Sequence, residues 1–258
     1  MITIFAQATL IIICCVSLLW LISIFIKNVS IIDIFWGTGF VIVNAFYMLM
    51  CDELDLRKQI LLILVTIWGL RLSIYLAWRN IGKGEDKRYI EFRQKYGEKR
   101  YWWFSFFQVF ILQASLIMIV SLPLLGVATG RQTEGLILLD YIAIALWIIG
   151  ISFEAGGDYQ LSRFKRNKSN KGKVLNTGFW KYTRHPNYFG DTAIWWAYAL
   201  FSIAAGSYWN VIGTVIMTLL IIKVSGVALL EKGLNETKPQ YREYIEKTSS
   251  FIPWFPKK

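Results

Sequence analysis

Long apolar runs, separated by short polar connections, set the pattern of this chain. About 20 apolar residues span the roughly 30 Å hydrocarbon core of a bilayer. Seven segments approach that length: residues 4 to 26, 31 to 50, 59 to 78, 104 to 126, 136 to 156, 191 to 206 and 209 to 230. The sixth is short and follows a proline-containing loop. No Pro interrupts the fifth, and polar residues then recur at helical spacing, which predicts a helix continuing past the bilayer to about Arg166. Glu154 and Asp158 are four apart, and Ser162, Lys165 and Arg166 continue the face of Asp158, grading from acceptors to cations. The pattern predicts an all-α polytopic membrane protein of about seven transmembrane helices, residues 1–258 forming one transmembrane domain.

Charge adds an orientation. The chain has 28 Lys and Arg against 17 Asp and Glu. Of the cations, 23 lie on one side: Lys27, the loops Arg79 to Arg100 and Arg163 to Arg184, and the tail from Lys232 to Lys258. Only Arg57, Lys58 and Arg131 fall on the other, and Arg71 and Lys223 lie inside spans. Because cations concentrate in cytoplasmic loops, the C-terminus and the larger loops are expected in the cytoplasm, in a bacterial inner membrane or an endoplasmic reticulum membrane. Trp and Tyr at predicted ends (Tyr101, Trp102, Trp103, Trp195, Trp196, Tyr208, Trp209 and Trp254) suit an interfacial belt.

Composition then narrows the function. Charged residues make up 17% and hydrophobic residues 55%, with a mean hydropathy of +0.45, whereas soluble chains carry about 25% charged residues. Disorder, collagen and nucleic-acid-binding tails are excluded, and no nucleic-acid partner is expected. Cys14, Cys15 and Cys51 form no disulfide framework. His185 is the single histidine, which excludes any site needing two imidazoles, and no metal is expected. No Lys or Arg precedes the first apolar stretch, so it reads as a retained helix rather than a cleaved signal.

Charges in hydrocarbon are costly and are default candidates for function. Here they are Asp33, Arg71, Asp140, Glu154, Asp158, Asp191, Lys223 and Glu231. Arg71, in mid-span, is expected to pair with a carboxylate or bind an anionic group. The densest local feature is Thr183-Arg184-His185-Pro186-Asn187-Tyr188-Phe189-Gly190-Asp191. Pro186 suits the first turn of a helix, whose free N–H groups and positive dipole end point back toward Arg184 and His185 and make an anion site. No G-x-G-x-x-G follows a strand, so a dinucleotide would not be held by a Rossmann unit.

The run Asn176 to Asp191, with Trp195-Trp196 after it, resembles the steroid 5-alpha-reductase-like membrane proteins, more narrowly a branch long catalogued as a domain of unknown function. Further matches are Asp33 to Gly39, Gly84 to Tyr89, Ser105 to Phe110, Glu154 with Asp158, Gln160 and Phe164, and the tail Thr248 to Pro256, together covering about residues 31 to 256. The resemblance implies a seven-helix reductase that uses NADPH to reduce a carbon-carbon double bond conjugated to a carbonyl in a sterol-like or prenyl-like substrate. It assigns the cofactor to Asp158, Lys165, Arg184, His185, Asn187, Tyr188 and Asp191. Asp33, Trp36, Trp68 and Glu154 become candidate substrate contacts. Steroid reductases are expected to polarise the carbonyl with a tyrosine on the third span and a Gln-Glu pair on the second; neither is found, and Trp68 stands at the tyrosine position. In their place Arg71 is the candidate electrostatic stabiliser and Tyr75, one turn on, the candidate proton donor. The chain is also similar to isoprenylcysteine carboxyl methyltransferases, in Arg184-His185-Pro186-x-Tyr188 and in Glu231, Tyr241 and Tyr244, which implies S-adenosylmethionine as the alternative cofactor. A non-catalytic lipid-binding protein is the third reading.

Overall fold

A computed structural model describes residues 1–225 and 240–257 of the chain; Glu231 lies outside them. The described residues form helices joined by loops and contain no strand. Among the described residues, five helices are long and apolar enough to cross a membrane: Ile2–Ile26, Ile31–Leu49, Leu56–Asn80, Glu98–Val120 and Leu138–Arg166. The other two predicted segments fall short of that measure for different reasons. One becomes a 19-residue helix, Pro186–Ala204, whose Asn187, Asp191 and Thr192 dilute its apolar content. The other is a shorter apolar helix, Trp209–Lys223, and residues 226–230 of that segment lie outside the described residues.

Packing divides the chain into two compact units. The first comprises Met1–Gly135 with Ala205–Gly213, and the second Leu136–Ala204 with the chain from Thr214 on.

In the first unit, α1 (Ile2–Ile26), α2 (Ile31–Leu49) and α3 (Leu56–Asn80) are followed by α4 (Lys87–Tyr96) and α5 (Glu98–Ser105). A π-helical turn, Phe106–Ile111, leads into α6 (Leu112–Val120), and α7 (Leu122–Ala128) follows a break at Ser121. The α2–α3 crossing is set by glycines: a methyl on Gly37 would lie 2.0 Å from the Gly69 carbonyl oxygen, and one on Gly69 2.5 Å from that of Gly37. Small residues permit such approach where lipid supplies no hydrophobic drive between helices. Beside the crossing, the Thr38 backbone N–H and hydroxyl both donate to Ser73 Oγ at 2.9 Å. Trp20 of α1 stacks on Trp102 and donates from Nε1 to the Trp102 carbonyl at 2.8 Å.

Arg57 and Lys58, two cations of the sparsely charged side, are buried in the first turn of α3. Asp55 caps that turn by accepting from the Lys58 N–H, and Lys58 Nζ donates to the Glu53 carbonyl at 2.8 Å. The interfacial belt is only partly realised. Trp102, Trp103, Tyr208, Trp209 and Trp254 are exposed, whereas Tyr101 and Trp195 are fully buried and serve packing instead.

The second unit is built on α8 (Leu138–Arg166), which runs to Arg166 as the unbroken polar spacing predicts. Asp140 is buried in its first turn and accepts from the Ile137 N–H at 2.9 Å, so it serves the helix start. At 29 residues and about 1.5 Å per residue, α8 is roughly 43 Å long, beyond the roughly 30 Å of hydrocarbon. Against it lies α9 (Pro186–Ala204). Gly150 and Gly157 of α8 and Gly190 of α9 line the seam, where a methyl on Gly190 would stand 2.4 Å from the Glu154 nitrogen and the Gly150 oxygen. Further along come α10 (Ile212–Leu219), which enters this unit at Thr214, and α11 (Gln240–Lys247).

Candidate functional site

Within the second unit, the α8–α9 seam gathers most of the residues assigned to a cofactor. Asp158 and Glu154 are buried on α8, Arg184 and His185 are buried just before α9, and Asn187 occupies the first turn of α9. Asn187 Nδ2 donates to Asp158 Oδ1 at 3.2 Å. Gly157 permits this meeting: a methyl there would lie 3.2 Å from the Asn187 nitrogen. The seam thus places an acid, an amide and a cation beside the N-terminal turn of a 19-residue helix, whose positive dipole end favours negative charge.

The remaining assigned residues surround this group unevenly. The His185 ring stacks on Tyr188, with centroids 5.9 Å apart and an interplanar angle of 28°, and its backbone N–H donates to Thr183 Oγ1. Glu154 and Asp191 both lie within electrostatic reach of the buried Tyr198 hydroxyl, which accepts from Trp147 Nε1 at 3.2 Å. Lys165, in the last turn of α8, is exposed. The structure therefore buries Glu154, Asp158, Arg184 and His185, and leaves Lys165 at the surface.

Two contacts seat the loop before α9 on α8. The Trp180 indole donates to the Gly157 carbonyl at 3.1 Å, and the Phe179 N–H donates to Gln160 Oε1 at 3.0 Å. The chain after α11 holds the same loop from another direction. Arg184 donates its backbone N–H to the Ser249 carbonyl at 2.9 Å and Nη1 to the Ile245 carbonyl at 3.1 Å. Thr183 Oγ1 donates to the Phe251 carbonyl at 2.8 Å, and the Tyr244 hydroxyl donates to the Trp180 carbonyl. Burial pushes the Tyr244 phenol up, which keeps it a donor. This role of Tyr244 is invisible to spacing, because 64 residues separate it from Trp180. The seam glycines carried a usable signal: Gly inside a helix costs about 1 kcal/mol against Ala, so Gly150, Gly157 and Gly190 implied close approach.

The candidate substrate and catalytic residues Asp33, Trp36, Trp68, Arg71 and Tyr75 belong to the first unit. Asp33, at the start of α2, is held by the loop and helix after α3: it accepts from the Tyr89 hydroxyl at 2.7 Å and from Arg88 at 2.9 Å. Asp86 caps α4 and also binds Arg88, at 3.0 Å. Glu85 accepts from the Val29 N–H at 2.8 Å and pairs with Arg93 at 2.9 Å. Burial and the Asp33 charge raise the Tyr89 phenol. Burial alone would raise the Asp86 carboxyl, but the hydrogen bonds and charge of Arg88 hold it below the ordinary range.

Trp36 donates to Gln113 Oε1 at 2.6 Å, and Trp68 is fully buried with its ring 5.8 Å from Phe40. Tyr75 has two guanidinium groups over its ring, Arg71 at 5.3 Å and Arg79 at 5.6 Å. Spacing on α3 predicted the Arg71–Tyr75 proximity; Arg79, a further turn on, completes the arrangement.

A protein of Schizosaccharomyces pombe, described as uncharacterized, is 28% identical over 264 residues, covering 92% of this chain and 76% of its own length. No solved structure matches. Residues 19–248, which include both the lock around Asp33 and the α8–α9 seam, match the family described as "Protein of unknown function (DUF1295)", and the chain belongs to that family.

Proposed function

We propose that the protein is an NADPH-dependent membrane reductase of a carbon-carbon double bond conjugated to a carbonyl, acting on a sterol-like or prenyl-like lipid. The observation that carries this reading is the part-buried Asp158–Asn187 hydrogen bond at the start of α9, next in the chain to the buried Arg184 and His185. Buried charge at a helix start is costly unless it is used, and this group offers what a phosphorylated, hydroxyl-rich ligand requires. The Arg184 charge and the positive dipole end of α9 favour phosphate. Asp158 can accept from a ribose hydroxyl or an amide, the exposed Lys165 can meet an outer phosphate, and Tyr188 can cover a planar ring. When bound, NADPH would supply hydride to the β-carbon of the enone.

The chain's own part in the reaction is to stabilise negative charge at the carbonyl and deliver a proton. This reading gives the first task to Arg71 and the second to Tyr75, beside which a developing anion meets the guanidinium groups of Arg71 and Arg79. Asp33, Trp36, Trp68 and Glu154 are assigned to the substrate. The same reading has α9 and the segment from Trp209 completing seven crossings, with the C-terminus and the cofactor site cytoplasmic. The steroid 5-alpha-reductase-like resemblance supports the cofactor half most directly.

Purified protein in mild detergent, first analysed by mass spectrometry for co-purifying lipid, is titrated with NADPH and with S-adenosylmethionine. Saturable NADPH binding that is lost in Arg184→Ala and Asp158→Ala is expected. Binding of S-adenosylmethionine alone would overturn the reductase in favour of a methyltransferase. If neither ligand raises thermal stability, as a ligand selective for the native state must, the non-catalytic lipid-binding reading replaces both.

A further inference from the structure

The segment Ser249–Pro256 has two faces of opposite character. Inward, its backbone accepts from Arg184 and Thr183, and its Trp254 N–H donates to the Tyr182 carbonyl at 2.9 Å. Outward, Ile252, Trp254 and Phe255 are 66%, 71% and 76% exposed. Trp254 and Phe255 project side by side, with the Phe255 ring 6.5 Å from Trp254 and 6.1 Å from Tyr182, and Ile252 is exposed two residues before them. Lys181 and Lys257 are exposed in the same stretch of structure.

Depth along α8 identifies what such a projection meets. The loop it grips is tied to Gly157 through Trp180. Gly157 lies 19 residues after Leu138, a rise of about 28 Å, which is close to the thickness of the hydrocarbon core. Earlier on α8, Leu138, Ile142, Ile148 and Ile149 are exposed, as a lipid-facing flank requires. With Leu138 at one interface, this rise puts the projection at the level of the other. Trp and Tyr collect at that level, and lysines there meet anionic headgroups.

We propose that Ser249–Pro256 is a lipid-docked clamp: Ile252, Trp254 and Phe255 insert at the boundary of headgroups and acyl chains of an anionic leaflet, and the backbone between them holds the Thr183–Arg184 loop in place. The partner is the bilayer surface itself. The clamp does not depend on which cofactor, if any, the seam binds.

The test uses the full chain, with Cys14, Cys15 and Cys51 replaced by Ser, in nanodiscs containing anionic phospholipid. An environment-sensitive fluorophore is attached at Trp254→Cys or Phe255→Cys, with Lys171→Cys as an exposed control. Lipids spin-labelled near the headgroup should quench positions 254 and 255 and not 171, while aqueous iodide should do the reverse. Iodide quenching of 254 and 255 equal to that of 171, or protection from both quenchers, as a protein partner would give, overturns the proposal. In a second measurement, Trp254→Ser should speed amide exchange in residues 180–184 on the order of tenfold, as for loss of a local restraint, with α8 unchanged. Unaltered exchange there overturns the clamp even if lipid contact is found. Should Trp254→Ser fail to fold, the labelled Phe255→Cys protein with Ile252→Ser, read by the same exchange, decides the matter.

Discussion

Asn187 and Asp158 meet across 3.2 Å, tying the first turn of α9 to the part of α8 that carries Glu154 one turn earlier. Neither residue alone distinguishes a ligand site from a helix cap. Their pairing, next to buried Arg184, makes one polar group at the only histidine of the chain.

Replacing Asn187 by Asp should destabilise the protein more than replacing it by Ala. Ala removes one hydrogen bond to a charged acceptor, worth about 1.5 to 3 kcal/mol, while Asp sets a second carboxylate against the first. Thermal unfolding in detergent checks the order of the two variants. NADPH binding should weaken in both.

Gly190→Ala should be among the most damaging single-methyl changes. The added carbon would lie 2.4 Å from backbone atoms of α8, where no side chain can yield, so α8 and α9 must separate. Overpacking of this kind costs about 1 to 3 kcal/mol and occasionally more. Gly135→Ala, whose methyl would meet nothing within 4 Å, is the matched control and should leave the unfolding temperature unchanged.

Asp33→Ala should loosen the attachment of α4 to α2. It leaves the Tyr89 hydroxyl, on a buried side chain, short of its acceptor, at about 1 to 3 kcal/mol. Arg88 adds little, because its side chain is half exposed and such pairs are weak in water. Tyr89→Phe in the Asp33→Ala background should cost nothing further, and a double-mutant cycle read by thermal unfolding measures this coupling.

The Asp86 carboxyl is held below its ordinary range, near 3.9, so its charged form stabilises the folded state. That contribution is complete above the unfolded value and is lost as pH falls through the lower folded one. Asp86→Asn, which keeps a capping side chain, should therefore be less stable than the natural protein at pH 7. The difference should close as pH drops below about 4. A difference that persists in acid would show that geometry, not charge, sets the role of Asp86.

How much of this was legible in the sequence depends on the range of the interaction. The apolar runs and the overrun of α8 to Arg166 are local, periodic features, and they placed four of the five long helices to within about three residues; the fourth, expected at 104 to 126, begins six residues earlier and ends at Val120. The cluster before α9 was readable for the same reason, because Pro186, Asn187 and Asp191 act within one turn. The belt failed at Tyr101 and Trp195, because burial against neighbours outweighs a residue type's preference for an interface. The Asp33 lock and the Tyr244 contact join residues more than fifty apart, and no periodicity encodes such partners. The short sixth segment fell below the apolar measure because the residues that make α9 interesting are polar.

The Asp33–Arg88 pair also has a consequence for how the chain is made. Arg88 follows Asp33 by 55 residues. At about 5 to 20 residues per second, the ribosome delivers it roughly 3 to 11 s later. During that interval α2 exists without the two side chains that bind Asp33 in the folded protein. Emergence of residues 85–93 ends it by supplying Arg88, Tyr89 and the Glu85–Arg93 brace together. The first helices are thus made before the residues that hold Asp33, and a truncation before residue 85 would leave the carboxylate without Tyr89 and Arg88.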